Sequence, residues 1–196
     1  GIAGTVLSWT LMQQGKKVLV VDSREKQNSS EIALGIYNPM VFKRMTKSWK
    51  ADELIPVAEE FYTHVESMLG ITALHKNNVL KVFSSTDERT FWEKKMHNGE
   101  ASEFMGKAID KSAYSDFILD ETGSADVLHS GWVDTAKLLK EYRGYLIRNN
   151  SFSTKKLEYE NLDTSGELLQ WEGVSAERII FCEGNSATEN PFFFFF

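Results

Sequence analysis

Residues 1–22, GIAGTVLSWTLMQQGKKVLVVD, decide the fold class that the sequence predicts. Gly1 and Gly4 bracket Ile2 and Ala3 with the spacing of the last two glycines of a G-x-G-x-x-G turn. Apolar side chains then recur at intervals of three to four residues, which predicts a helix. The apolar run that closes the stretch predicts a parallel strand buried on both faces. This order is typical of a dinucleotide-binding α/β unit.

The ends of this helix and this strand are marked by residues suited to those positions. Gly15 can adopt the left-handed conformation that ends helices, and residues 17–21 then form the strand. Asp22 closes the strand about 20 residues after the glycines, where a carboxylate can accept hydrogen bonds from both ribose hydroxyls of an adenosine. The helix start at residues 1–4 then holds the pyrophosphate. The alternative is that the glycines only allow close packing of the helix against the strand.

The composition is that of an ordinary globular protein, with 42% hydrophobic and 26% charged residues in a chain of 196. The formal net charge of −6 argues against a nucleic-acid partner, and His64 has no partner of metal-ligand spacing, so no metal site is expected. A single cysteine, no signal peptide and no long apolar run predict a cytoplasmic protein without a transmembrane segment. The chain opens inside the glycine motif without an initiator Met, which predicts truncation at its start.

The segment after Asp22 is a polar and irregular stretch, residues 23–39. It is too long for an ordinary strand–helix connection, and long loops at the carboxyl ends of parallel strands are where open α/β sheets bind ligands. We expect cofactor contacts from its hydroxyl, small and turn-forming residues, which are Ser23, Ser29, Ser30, Ala33, Gly35 and Asn38. The alternative is a plain surface loop whose serines only cap a turn.

The middle of the chain has a different pattern. Residues 51–69 have helical periodicity and end at Gly70, and short apolar runs then alternate with polar turns up to residue 128. A second helix is predicted at residues 87–97, capped by Thr86. We therefore predict an α/β fold in which residues 51–129 form an inserted α+β lobe. Residues 1–50 and 130–196 then form a partial Rossmann-like domain whose first strand is missing.

The last part of the chain predicts a further helix and several strands. Asp134 can cap the start of the helix. The strands predicted after it are residues 152–154, 157–162, 167–171, 174–175 and 178–184. The second to fourth of these form a meander, and the fifth is a buried parallel strand with Cys182 as a small residue near its end. A redox role for Cys182 is the alternative. The five phenylalanines at 192–196 predict a chain that stops inside a core segment.

These motifs together resemble a known family. The glycine pair before a helix, the strand ending in Asp22 and the S-S-x-x-A-x-G-x-x-N-P run at residues 29–39 resemble the FAD-binding start of the D-amino-acid oxidase and glycine oxidase family of flavoproteins. The S-G-W-V-D-T turn at residues 130–135 resembles the point where that family returns from its substrate lobe to the nucleotide-binding sheet. The resemblance therefore implies that residues 51–129 are the inserted α+β substrate lobe. The resemblance implies FAD as cofactor and oxidation of an amine or amino acid by hydride transfer to flavin N5.

The resemblance also implies which residues contact each part of the cofactor. Gly1 and Gly4 lie at the pyrophosphate, Asp22 at the adenosine ribose, Ser29 and Ser30 near the flavin-side chain, and Gly35 under the isoalloxazine edge. Leu157 meets the adenine through its backbone, and Cys182 and Gly184 belong to a second turn that contacts FAD. The family's substrate-binding Arg normally lies beyond the end of this chain. No catalytic residue is therefore assigned, and the piece as written is expected to be inactive.

Two other functions remain open from the sequence. The first is an NAD-dependent dehydrogenase, because Asp22 suits NAD as well as FAD; Arg24 suggests a 2′-phosphate partner, although Asp22 opposes it. The second is a dinucleotide-binding fragment without activity. An enzyme of the same fold that acts on a modified tRNA base is also compatible with the resemblance, but the acidic charge balance does not support it.

Overall fold

A computed structural model of the chain describes residues 1–23 and 29–193. They form a mixed α/β structure with both parallel and antiparallel strand pairs. Two compact units are present: a terminal unit of Gly1–Ala33 with Thr135–Phe196, and a central unit of Leu34–Asp134. The boundaries predicted from the sequence fall after residues 50 and 129, and the functional assignment of the two domains stays a prediction.

The elements follow in chain order. The helices are α1 (Ile2–Gln13), α2 (Ser29–Ile32), α3 (Ala51–Leu69), α4 (Thr86–Asn98) and α5 (Thr135–Arg148). The strands are β1 (Val20–Val21), β2 (Ile36–Tyr37), β3 (Met40–Val41), β4 (Thr46–Lys47), β5 (Leu74–His75), β6 (Val79–Val82), β7 (Ser124–Val127), β8 (Gly131–Val133), β9 (Phe152–Ser153), β10 (Leu169–Trp171) and β11 (Val174–Ala176). Short 3₁₀ helices lie at Ser102–Phe104, Tyr159–Asn161 and Gly184–Glu189.

The parallel pair of the terminal unit is β1 with β9. Val20 lies opposite Phe152, and the N–H of Asp22 donates to the carbonyl of Ser153 at 3.0 Å. A strand ending before Asp22 and a second strand at 152–154 were both predicted. The first is shorter than predicted, because the ladder with β9 begins only at Val20.

Helix α1 ends as its sequence predicts, and it packs on α5. Gly15 has a φ of +74°, the left-handed conformation expected after the helix. The buried side chains of α1 are Ser8 and Trp9. Ser8 Oγ and the Tyr142 hydroxyl of α5 share a hydrogen bond of 3.1 Å, and the rings of Trp9 and Tyr142 meet edge to face at 6.2 Å.

The central unit is built from antiparallel strands and two longer helices. Its sheets are β2-β8-β5, β3-β4 and β6-β7. Its buried cluster contains Met40, Met45, Ala51, Phe83, Trp92, Ala101, Phe104, Met105, Ala125 and Val127. The Trp92 ring is fully buried, packs edge to face on Phe83, and donates its Nε1–H to the carbonyl of Gly106 at 3.0 Å. The only polar atom of this side chain is therefore satisfied inside the core.

The two long helices of the central unit were predicted, with one error in capping. Helix α3 has the predicted bounds, and Gly70 follows it with a φ of +67°. Helix α4 is capped by Ser85, whose Oγ accepts the N–H of Glu88 at 3.1 Å. The predicted cap, Thr86, is wrong. A cap needs non-helical backbone angles, and Thr86 already lies inside the helix whereas Ser85 is extended.

Two strands predicted for the terminal unit do not form. Residues 157–162 contain a 3₁₀ helix at Tyr159–Asn161, so the predicted meander is reduced to the β10–β11 hairpin and a single bridge between Asp163 and Gln170. Residues 178–184 form no ladder among the described parts of the chain, and Ile180 is half exposed there. An apolar run becomes a strand only where a neighbouring strand takes up its backbone hydrogen bonds. The Phe181 ring packs instead on Phe192 at 5.6 Å.

The helices give no sign of a membrane span. Across residues 1–23 and 29–193, none is both long enough and apolar enough to cross a bilayer.

Candidate functional site

The residues predicted to bind a pyrophosphate lie at the start of α1. Gly1 is the N-cap and has no side chain that could cap the helix. The first intrahelical hydrogen bond runs from the Thr5 N–H to the Gly1 carbonyl at 3.2 Å. Ser30 Oγ accepts the N–H of Ile2 at 3.1 Å. The N–H groups of Ala3 and Gly4 have no acceptor within the helix, as in the first turn of any α-helix. This helix end therefore offers donors and the positive end of the helix dipole.

Gly4 brings α1 close to Cys182. A Cβ atom built on Gly4 would lie 3.4 Å from the Cys182 Cβ and 4.0 Å from its Sγ. Two predicted cofactor residues are thus neighbours, although the strand predicted around Cys182 is absent. The 3.4 Å separation is a close van der Waals contact, so a methyl group fits at Gly4 and larger side chains meet the Cys182 side chain.

Asp22 lies directly after β1, and its backbone is fixed by the bond to Ser153. Its carboxylate forms an ion pair with Arg143 of α5, with Oδ2 and Nη2 separated by 3.8 Å. The same Arg143 nitrogen donates a hydrogen bond to Glu31 Oε1 at 3.2 Å. We call the three side chains Glu31, Arg143 and Asp22 the carboxylate–arginine cluster.

Arg143 is the central member of this cluster and the most enclosed. Its side chain is 14% exposed, compared with 25% for Glu31 and 34% for Asp22. The guanidinium lies 5.9 Å from the centre of the Phe152 ring, a cation–π distance. Strand β9 therefore fixes Asp22 through the Ser153 carbonyl and supports Arg143 through Phe152.

Helix α2 contacts both the predicted pyrophosphate site at the start of α1 and the carboxylate–arginine cluster. Ser30 contacts the start of α1, and the next residue, Glu31, contacts Arg143. The carbonyl of Ala33, just after α2, accepts a hydrogen bond from Thr135 Oγ1 at 3.2 Å, which ties α2 to the start of α5.

A groove of about 430 Å³ borders the carboxylate–arginine cluster. Its lining consists of Glu31, Ala136, Lys140, Arg143, Gly144 and Ile147. The groove adjoins Asp22 through Arg143.

The packing of α5 on α1 supports this arrangement. Tyr142 precedes Arg143 and is almost fully buried. Burial raises the pKa of the Tyr142 phenol, although its hydrogen bond with Ser8 acts in the opposite direction. The phenol therefore stays neutral and fixes the helix on which Arg143 is carried.

Some predicted site residues of the terminal unit make fewer contacts than those at α1. Ser29 is exposed, and Ser23 and Leu157 are half-buried. Gly184 is exposed and has a φ of +59°, so the turn after residue 183 is a position that favours glycine. Arg24 lies outside the described residues.

Gly35 and Asn38 belong to the central unit, where both have structural roles. Gly35 has a φ of +65°, and its carbonyl accepts the Val133 N–H at 3.0 Å. The Asn38 side chain accepts the Met40 N–H at 2.9 Å and donates to the Met40 carbonyl at 3.1 Å. The hydrogen bonds of the Asn38 amide thus close a local turn.

Arg143 and Glu31 were missed when the sequence was considered alone. A usable signal was present in α5, since Arg143 lies four residues after Leu139 and three before Leu146, both buried. A cation at the edge of an apolar helix face requires a nearby carboxylate. The identity of that carboxylate depends on contacts between distant segments.

No protein-family model matches the chain, and no solved structure matches it significantly. Within residues 1–23 and 29–193, no group of three or more His, Cys, Asp or Glu side chains is placed to hold a metal ion.

Proposed function

We propose that this protein is an FAD-dependent oxidoreductase that oxidises an amine or an amino acid, and that its terminal unit is part of a Rossmann-like FAD-binding domain. The observation that carries the proposal is a helix with glycine at its N-cap in the same unit as a parallel strand directly before Asp22. Dinucleotide-binding domains combine these two features, with the pyrophosphate at the helix and the ribose at the acidic residue.

The start of α1 is suited to the pyrophosphate for electrostatic and steric reasons. N–H groups in the first turn need acceptors, and the first turn of α1 carries no acidic side chain to repel an anion. Gly4 leaves room for the close approach of α1 to the rest of the unit. Ser30 Oγ, which accepts the Ile2 N–H, is the side chain that a phosphate oxygen would replace or supplement.

The preference for FAD over NAD depends on the length of the segment after Asp22. Residues 23–39 carry the S-S-x-x-A-x-G-x-x-N-P run that resembles the flavoprotein family, and the helix in their described part, α2, has four residues. A nicotinamide-binding domain usually continues promptly into its next helix. A cytoplasmic location belongs to the same proposal and is supported by the single cysteine.

The chemistry divides between the cofactor and the chain. FAD supplies the hydride acceptor when it is bound. The residues of the terminal unit bind and orient its adenosine diphosphate half, with Gly1–Gly4 at the phosphates and Asp22 at the ribose. No substrate-binding or acid–base residue is assigned.

A titration of the purified protein with FAD, NAD⁺ and ADP tests the proposal. We expect FAD and ADP to bind, and NAD⁺ to bind more weakly than FAD. Asp22→Ala should weaken FAD binding by about 1–3 kcal/mol, the range for losing hydrogen bonds to a charged group. The matched control is Asp116→Ala, which removes an exposed carboxylate of the central unit.

Equilibrium dialysis gives the affinities directly, with flavin absorbance detecting FAD and adenine absorbance detecting NAD⁺ and ADP. Circular dichroism checks that each variant is folded. Equal FAD affinity in Asp22→Ala and the parent would remove Asp22 from the site. Preference for NAD⁺ over FAD would favour a dehydrogenase instead. Absence of binding to all three ligands would overturn the proposal.

A further inference from the structure

The carboxylate–arginine cluster places a positive charge between two acidic side chains at the predicted ribose site. Arg143 Nη2 lies 3.8 Å from Asp22 Oδ2 and 3.2 Å from Glu31 Oε1. Such a cluster is more than a surface ion pair, because the Arg143 side chain is only 14% exposed and lies over the Phe152 ring. Enclosed charges interact more strongly than exposed ones and are screened less by salt.

Arg143 has an electrostatic effect on both neighbours. Asp22 and Glu31 each carry a negative charge, and a dinucleotide adds the charges of its pyrophosphate. The guanidinium offsets the repulsion among these negative charges, because opposite charges a few ångströms apart attract each other.

Arg143 also restricts the direction of the Asp22 carboxylate. The backbone of Asp22 is fixed by Ser153, and the ion pair fixes which oxygen turns toward α5. A carboxylate offers about four acceptor positions, so pairing with Arg143 is compatible with hydrogen bonds to a ribose. Glu31 holds the guanidinium from the other side.

We propose that Arg143 is a positioning residue for adenosine recognition. It orients the Asp22 carboxylate, which discriminates ribose from 2′-deoxyribose, and Glu31 in turn orients Arg143. This inference rests on the proposed function, since it requires an adenine dinucleotide at Asp22. Arg143 acts through Asp22 and does not contact the phosphates. Its loss therefore reduces discrimination at the ribose and leaves phosphate recognition at α1 intact.

The test compares ADP with 2′-deoxy-ADP on the purified protein by calorimetry. Both nucleotides carry the same diphosphate and base, so the ratio of their affinities reports on the ribose alone. We expect the parent to prefer ADP by about tenfold or more, as hydrogen bonds to a charged group require. In Arg143→Gln the ratio should fall toward one, while the affinity for 2′-deoxy-ADP changes less than twofold.

Three further variants separate positioning from a general structural role. Arg143→Lys keeps the charge without the planar fork and should recover part of the preference for ADP. Glu31→Gln should reduce the ratio less than Arg143→Gln does. Arg148→Gln, the same change at an exposed position of the same helix, is the matched control and should leave the ratio unchanged.

A double variant tests whether Arg143 acts through Asp22. In Asp22→Asn the ratio should already be near one, and adding Arg143→Gln should change it no further, because the two residues act on one interaction. Equal losses for ADP and 2′-deoxy-ADP in Arg143→Gln would instead indicate a phosphate contact or a folding defect and would overturn the inference. A ratio unchanged in both Arg143→Gln and Arg143→Lys would also overturn it.

The two proposals fail in different ways. If the parent binds neither nucleotide, the proposed function falls, and this inference falls with it. If the parent binds ADP with a preference that depends on Asp22 but not on Arg143, only the inference falls. Should Arg143→Gln not fold, the Arg143→Lys and Glu31→Gln ratios decide the question.

Discussion

The central and terminal units are stabilised by different kinds of contact. The central unit has a continuous apolar cluster in which Trp92 and Phe83 are almost completely inaccessible to solvent. In the terminal unit, several of the contacts between helices are polar, including the hydrogen bond of Ser8 with Tyr142 and the ion pairs of Arg143. Burial of apolar area tolerates small shifts, whereas polar contacts require defined distances.

We therefore expect the apolar cluster of the central unit to contribute most to stability, and the polar contacts of the terminal unit to contribute most to ligand recognition. Substitutions in the apolar cluster should cost much free energy of unfolding, since each removes many contacts at once. Substitutions of the polar contacts should cost less in unfolding and more in ligand binding, because such groups also orient a site. Four variants test this contrast, from the largest expected effect on stability to the smallest.

Trp92→Ala should give the largest loss. The ring is fully buried and its Nε1–H bonds to Gly106, so we expect about 3–5 kcal/mol of destabilisation, the range for removing a buried aromatic side chain. Urea unfolding followed by circular dichroism measures it. Trp49→Ala is the control, since that ring is 79% exposed and should cost little. Similar losses in both variants would show that the apolar cluster is not what stabilises the central unit.

Gly131→Ala should have the next largest effect. A Cβ atom on Gly131 would overlap the His75 carbonyl and the Tyr37 side chain, both parts of the sheet that contains β8. We expect a loss of about 1–3 kcal/mol, as for other overpacked sites. Gly144→Ala in α5 serves as control, because the nearest atom there belongs to the end of the Arg148 side chain, which can move away. Thermal unfolding of the two variants should therefore differ clearly.

Tyr142→Phe sharpens the contrast within the terminal unit. It removes the hydroxyl that bonds Ser8 and keeps the ring that packs on Trp9, so we expect a loss of about 0.5–1.5 kcal/mol. Ser8→Ala should cost a similar amount, and the double variant should cost less than the sum of the two. Strict additivity in denaturant unfolding would mean that the hydrogen bond contributes nothing to stability.

Glu59→Gln should have the smallest effect, and one that depends on pH. Burial opposes ionisation of Glu59, but hydrogen bonds from Lys76 and Tyr37 outweigh it and lower its pKa. A carboxyl with a lowered pKa in the folded state contributes stability above its unfolded pKa, and this contribution disappears as the pH falls through the folded value. Melting temperatures from neutral pH to below pH 4 should thus converge for Glu59→Gln and the parent. Glu60→Gln, at an exposed neighbouring position, is the matched control.

Sequence patterns predicted the elements whose signals are local. Helix α3 has a clear periodicity and a glycine immediately after it, so its bounds followed from the sequence. The strand before Asp22 and the strand at residues 152–154 were predicted, and the structure pairs them in parallel. The prediction that the first strand is buried on both faces is wrong, because β1 is only half-buried.

The failures concern features that depend on distant partners. Residues 178–184 are as apolar as a buried strand, but a strand also needs a neighbour in register, which composition cannot reveal. Arg143 was missed for a similar reason, because its partners Asp22 and Glu31 lie more than 100 residues away in sequence. The candidate site could therefore be predicted at α1 and Asp22 but not at α5.

The adjacency of Tyr142 and Arg143 makes α5 sensitive to insertions and deletions. Neighbouring residues on a helix point about 100° apart, so Tyr142 can face α1 while Arg143 faces Asp22. Adding one residue before Tyr142 would rotate both side chains by that angle and would break the packing and the ion pairs in one step. Homologous chains should therefore vary in length between β10 and β11, where a Glu172–Gly173 turn is exposed, and keep the length of α5 constant.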